Sequence, residues 1–188
     1  MTRTLFSVLI LAAFLTVFAA ACGSGPGAGG GSGGADQVPK ITASDRIFTE
    51  EDFLSIGLKK SKEYDVAGLT GATSAIYGFW KPDGIESVDY EIRFYPSHAE
   101  AVASGVFFAD EVTGPDGAVA EDDVTWNEGT RDRRPSGFTF WGGGGRLAVK
   151  YADYIIHSNV IILCQGRDST QSLGRCRAMI DEILGAAE

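Results

Sequence analysis

Val88-Asp89-Tyr90-Glu91-Ile92-Arg93-Phe94-Tyr95 is the most regular stretch of the chain. Val88, Tyr90, Ile92 and Phe94 alternate with Asp89, Glu91, Arg93 and Tyr95. A period of two predicts a β-strand with one face against a core and the other in water. Before it, Pro82-Asp83-Gly84 is a turn signal, and Ala72 to Trp80 reads as the partner strand. After it, Ser97 and Glu100 are spaced as a capping box. Ala99, Val102, Ala103, Val106 and Ala109 then recur at helical spacing until Gly114-Pro115 ends the helix.

The same outline returns towards the C-terminus. Phe138 to Trp141 and Leu147 to His157 read as strands around the Gly142-Gly143-Gly144-Gly145 run. Val160 to Cys164 is continuously apolar, as a buried central strand is, and His157-Ser158-Asn159 is a tight turn before it. Ser169 to Gly185 is a helix whose stripe is Leu173, Cys176, Ile180, Ile183 and Leu184. Upstream, Thr49-Glu50-Glu51-Asp52 opens a helix with Phe48 and Phe53 as a hydrophobic staple, and Lys59-Lys60-Ser61-Lys62 reads as its stop. A helix followed by two ββα units gives an α+β fold. The expected form is a two- or three-layer sandwich with an antiparallel sheet of about five to six strands.

The N-terminus is an address. Arg3 is the only charge before Asp36, and residues 5–21 are apolar apart from Ser7 and Thr16. They end in Ala19-Ala20-Ala21-Cys22. A positive start, an apolar core and small residues at the cut are the parts of a secretory signal. With cysteine directly after them, the segment resembles a bacterial lipoprotein signal peptide, although Ala19 stands where that family prefers Leu. The resemblance implies cleavage after residue 21, lipid on Cys22, and residence on the outer face of the cell membrane. An uncleaved membrane anchor and a plain secretory signal are the alternatives.

Residues 22–36 follow as a Gly/Ser linker that holds 8 of the 25 glycines and no charge before Asp36. It cannot bury enough apolar surface to offset its ordering entropy, so it is expected to act as a flexible tether. A dozen such residues span roughly 20 Å. Residues 37–188 then form one globular domain.

The net charge of −9 argues against a nucleic-acid partner, which would require a basic face. Two histidines leave little for a histidine metal site, and both His98 and His157 are expected to be exposed. The segment from Pro115 to Pro135 is expected to be a long solvated loop with a short strand near Val124 to Trp126. Its acids 116–132 lack the spacing of an EF-hand, so they offer calcium only a weak case. The Gly142 to Gly145 run lacks the Gly-Lys-Ser/Thr ending of a P-loop. No cofactor is implied.

With Cys22 lipidated, Cys164 and Cys176 remain. An exported protein usually pairs such cysteines, here as a structural disulfide, with two buried thiols as the alternative. The functional expectation is a non-enzymatic binding or interaction domain at the cell envelope. A protein partner or a small or apolar ligand would meet the aromatics Trp80, Tyr95, Trp126 and Trp141. A small extracytoplasmic hydrolase and an accessory component of a transport system are the alternatives.

Overall fold

The computed structural model of the chain describes residues 38–135 and 149–186. The signal segment, Cys22, the linker, the strand expected at 138–141, Trp141 and the glycine run at 142–145 lie outside them.

The described chain is an α+β fold built on one mixed sheet of six strands in the order β1-β5-β6-β4-β3-β2. The strands are β1 (Ile41–Thr42), β2 (Lys59–Glu63), β3 (Ser74–Trp80), β4 (Val88–Phe94), β5 (Tyr151–His157) and β6 (Val160–Gln165). Strands β2 to β6 pair antiparallel, but β1 lies parallel to β5, so the sheet is mixed rather than purely antiparallel. Both outer strands differ from the sequence reading. Strand β2 is formed by the lysines read as a helix stop; every residue in it is exposed, and its register shifts between Lys60 and Lys62. An edge strand has a partner on one side only, and exposed lysines there discourage a second.

Two helices cover one face of the sheet: α1 (Glu50–Ser55) and α3 (Ser169–Gly185). The Asp52 carboxylate accepts from the Thr49 backbone N–H at 2.8 Å, which fixes the start of α1. Phe53, Val88, Tyr90, Ile92, Phe94, Ile162, Met179 and Ile180 fill the core between these helices and the sheet. Within it Cys164 of β6 and Cys176 of α3 form a disulfide, with Cα atoms 5.7 Å apart.

The other face carries α2, residues 98–110, in which a π-helical turn (Ala101–Gly105) interrupts α-helix. The small side chains explain how closely this helix approaches. A Cβ on Gly105 would stand 2.4 Å from Ile161 Cδ1 and 2.6 Å from the Tyr95 hydroxyl. Ala101 and Ala109 pack there with Tyr95, Tyr154, Ile156 and Ile161, so the sandwich has three layers. The segment 111–135 completes the cover. It contains one 3₁₀ turn (Glu121–Asp123) and no strand near Val124, and its Val119, Trp126, Thr130 and Arg133 are buried rather than solvated.

The β5–β6 turn is also buried. Ser158 takes the left-handed conformation, φ 51°, at the tip. The Asn159 side-chain amide donates to the carbonyls of Phe48 (3.0 Å) and Tyr95 (3.1 Å) and accepts from the Phe48 N–H at 2.7 Å. The chain from β1 to α1 is thereby clasped over the hairpin.

Candidate functional site

The face of β4 expected to be wet is the most polar part of the interior. Glu91 and Arg93 are 0% exposed, and Tyr95 is buried beside them. What covers them is Arg133, also 0% exposed, reaching in from the segment after α2. Arg133 grips the Glu91 carboxylate with two nitrogens, Nε to Oε2 at 2.8 Å and Nη2 to Oε1 at 3.1 Å. Arg93 Nε donates to Oε1 at 2.8 Å. Arg93 Nη2 lies 2.7 Å from the same oxygen as an ion pair. Burial by itself would push the Glu91 carboxyl up, but the two guanidiniums, Arg133 first, hold it below the ordinary carboxylate range. Trp126 lies within cation–π range of both arginines, 4.7 Å from Arg133 and 5.0 Å from Arg93.

A second network runs from this cluster to the surface. Lys150 is 6% exposed; its ammonium pairs with Asp89 and lies 3.4 Å from the Tyr77 hydroxyl. Tyr77 donates to the same Asp89 oxygen at 2.9 Å. Tyr64, stacked on Tyr77 at 6.5 Å, donates to Asp132, which also accepts from Lys62 at 2.7 Å. Burial, and then the facing aspartates, push the Tyr77 phenol well above its usual range, so it stays a neutral donor. Lys150 also borders a groove of about 530 Å³, lined by Glu86, Val149, Gln165, Gln171 and Arg175 among others. Grooves of similar size, about 510 and 560 Å³, lie beside Tyr64 and Asp132 and beside Pro115 and Ala152.

Of the aromatics expected to form a binding surface, the three within the described residues, Trp80, Tyr95 and Trp126, are buried. Trp80 is buried against Tyr90 and donates from Nε1 to the Ile56 carbonyl at 3.0 Å. Trp126 donates to the Asp65 carbonyl at 3.0 Å, and Tyr95 is covered by α2. Each ring is large enough to be worth more in the core, and each indole N–H finds a carbonyl there. The structure brings Tyr95 and Trp126 to the arginine cluster but leaves Trp80 on the opposite face of the sheet. Among the described residues, no three His, Cys, Asp or Glu side chains gather in a way that could hold a metal.

Both histidines are half-buried rather than exposed. His98 Nδ1 lies 2.8 Å from the Ser158 carbonyl, and the His157 ring meets Phe48 edge-on at 5.5 Å. Burial, reinforced by Arg177 and His98 and opposed by Asp181, lowers the His157 pKa below its ordinary 6.5. The fold therefore favours the neutral ring. Its contribution to stability is complete above about pH 6.5 and is lost as the pH falls below that, since the unfolded chain then binds the extra proton. Acidification from about pH 7 to about pH 5 is expected to lower the melting temperature, and His157→Gln to flatten that slope. An unchanged slope in the variant would remove His157 from the account.

Among the described residues, no helix is long and apolar enough to cross a membrane. No curated protein and no solved structure matches the chain. One family model does, over residues 49–185, well over half of the sequence. That match begins at the α1 cap and ends with α3, so it takes in β4, Arg133, Lys150 and both cysteines of the disulfide. The chain belongs to that family, a family of unknown function (DUF6810).

Proposed function

We propose that the protein is an exported lipoprotein, held on the outer face of the bacterial cell membrane by lipid on Cys22. Residues 37–188 then serve as a non-enzymatic binding domain at the cell envelope. The observation that carries this reading is the Cys164–Cys176 bond, because disulfides persist in oxidising compartments. The apolar segment ending at Ala21-Cys22 and the uncharged linker give the same address. Binding is favoured over chemistry because the interior ionic groups are engaged with one another: Glu91 with two arginines, Asp89 with Lys150 and Tyr77. The groove bordered by Lys150 is the surface offered to a small ligand or to a side chain of a protein partner.

Palmitate labelling of cells expressing the chain tests the anchor. The wild-type protein is expected to take up label and sediment with membranes, and Cys22→Ala to lose both. A Cys22→Ala protein that stays in the membrane would instead identify residues 5–21 as an uncleaved anchor and overturn the lipid reading.

A further inference from the structure

Residues 38–48 lie across the β5–β6 hairpin as a strap. Their β1 pairs only with β5, through Ile41 and Thr42. The Ile156 N–H donates to the Lys40 carbonyl at 2.8 Å, and the Ser158 N–H to the Thr42 carbonyl at 2.9 Å. The Ser158 hydroxyl donates to the carbonyls of Ser44 (3.1 Å) and Arg46. Of residues 38–48, Phe48 alone is buried. Its ring rests on Phe53 at 6.3 Å and edge-on against His157 at 5.5 Å. The strap's one anchor thus sits on one of the chain's two histidines. The turn that takes its hydrogen bonds touches the other, since His98 Nδ1 lies 2.8 Å from the Ser158 carbonyl.

The groups facing His157 would leave a proton there uncompensated. From α3, Arg177 and Asp181 act on it, but they are already paired with each other at 2.7 Å. From α2 comes His98, a second base. From the strap, Arg46 stands 4.9 Å over the Phe48 ring and is paired with Asp52 at 2.6 Å. Thr42 and Val160, the register partners of His157 on β1 and β6, carry no charge. These groups bring no net negative charge to the ring. Burial first, and then Arg177, lower its pKa, so the closed seat selects the neutral form.

We propose that residues 38–48 form an acid-released latch: a proton on His157 unseats Phe48, and the strap leaves β5 while the rest of the sheet stays folded. A segment with a single buried anchor opens at far lower cost than the core. The family match starts at residue 49, directly after the strap. Release hands residues 38–48 to the linker before them and lengthens the reach of the domain. That consequence rests on the tether reading; the latch itself does not.

Native-state hydrogen exchange of the full chain, corrected for the pH dependence of intrinsic exchange, tests it. The amides of Phe48, Ile156 and Ser158 report on the strap, because each makes its hydrogen bond across it. Between about pH 7.5 and about pH 5 their protection is expected to fall roughly tenfold, the change that one pKa unit produces. Amides in the β4–β6 pairing are expected to hold theirs. The midpoint of the fall should coincide with titration of the His157 ring, followed by NMR. His157→Gln stays neutral and is expected to abolish the fall. Phe48→Ala removes the anchor and is expected to lower protection of Ile156 and Ser158 already at neutral pH. Strap amides that keep their protection at about pH 5 would overturn the latch. So would a loss in step with the β4–β6 amides, a fall that survives His157→Gln, or unchanged protection in Phe48→Ala. Should His157→Gln fail to fold, the wild-type contrast between strap and sheet amides, with the NMR midpoint, decides the matter.

Discussion

Replacing Glu91 by Gln is expected to remove about 3–5 kcal/mol of folding stability, the cost of leaving buried ions without their partner. Total stabilities of domains this size are about 5–15 kcal/mol, so a large part of the margin would go. The variant keeps the shape of the side chain and two polar atoms but deletes the carboxylate charge that pairs with two buried guanidiniums. Chemical denaturation followed by circular dichroism reads the loss, and native-state hydrogen exchange locates it. The amides of residues 126–134 are expected to lose protection first, because Arg133 is their ionic tie to the sheet.

Two controls separate charge from packing. Replacing all three residues by Met removes the buried ions together and is expected to recover most of the lost stability, since an apolar set of similar volume is often neutral or better. The pH dependence gives the second control. The folded Glu91 carboxyl is held below its ordinary 4.5, so its stabilisation is present above that value and disappears as the pH falls through the folded one. Glu91→Gln should lack that portion of the acid limb. A Glu91→Gln protein within about 1 kcal/mol of wild type would show that the cluster is not the tie described above.

Loss of the disulfide is the second large effect. Cys164 and Cys176 are 12 residues apart, and both sulfurs are enclosed by the core between β6 and α3. Closing a loop of that length is worth about 2–4 kcal/mol, mostly by restricting the unfolded chain. The Cys164→Ala/Cys176→Ala double variant is therefore expected to lose about 3 kcal/mol in guanidinium denaturation. A reduced wild-type protein should move the same way. Both native thiols alkylating without reductant would contradict the bond itself. Cys176 sits well inside its helix, two turns from the end nearest β6 in sequence. Because α3 lies directly against β6, a cysteine two turns in still faces the strand.

How far the sequence could be read depended on which partner each residue meets. The alternation in 88–95, the apolar run at 160–164 and the final helix appear where periodicity puts them, because their cause is local, and the first helix starts at its cap but ends at Ser55, short of the expected lysine stop. The two outer strands were missed for an energetic reason. Edge strands bury little, so β2 is written in lysines and β1 is only two residues long. The site was missed for a third reason. Asp89, Glu91 and Arg93 carry the polarity of a solvated face, and nothing within 88–95 announces that Arg133 arrives from 40 residues away to cover them. One clue was present in the neighbouring strand. A continuous apolar run such as Val160 to Cys164 must be covered on both faces, and β4, hydrogen-bonded beside it, shares that cover. Read together, the two strands require the charges on β4 to find partners; read separately, they do not.

The two blunted edges have a consequence for how many copies can be packed together. At high local concentration an open strand would recruit the next molecule and begin a ribbon. Among the described residues one rim is a strand of only two residues, and the other presents a bulged row of exposed lysines whose like charges would face their own kind across any symmetric junction. Among the described residues neither rim offers a long uncharged edge, so crowding should yield neighbours in side-by-side contact rather than growth by strand addition.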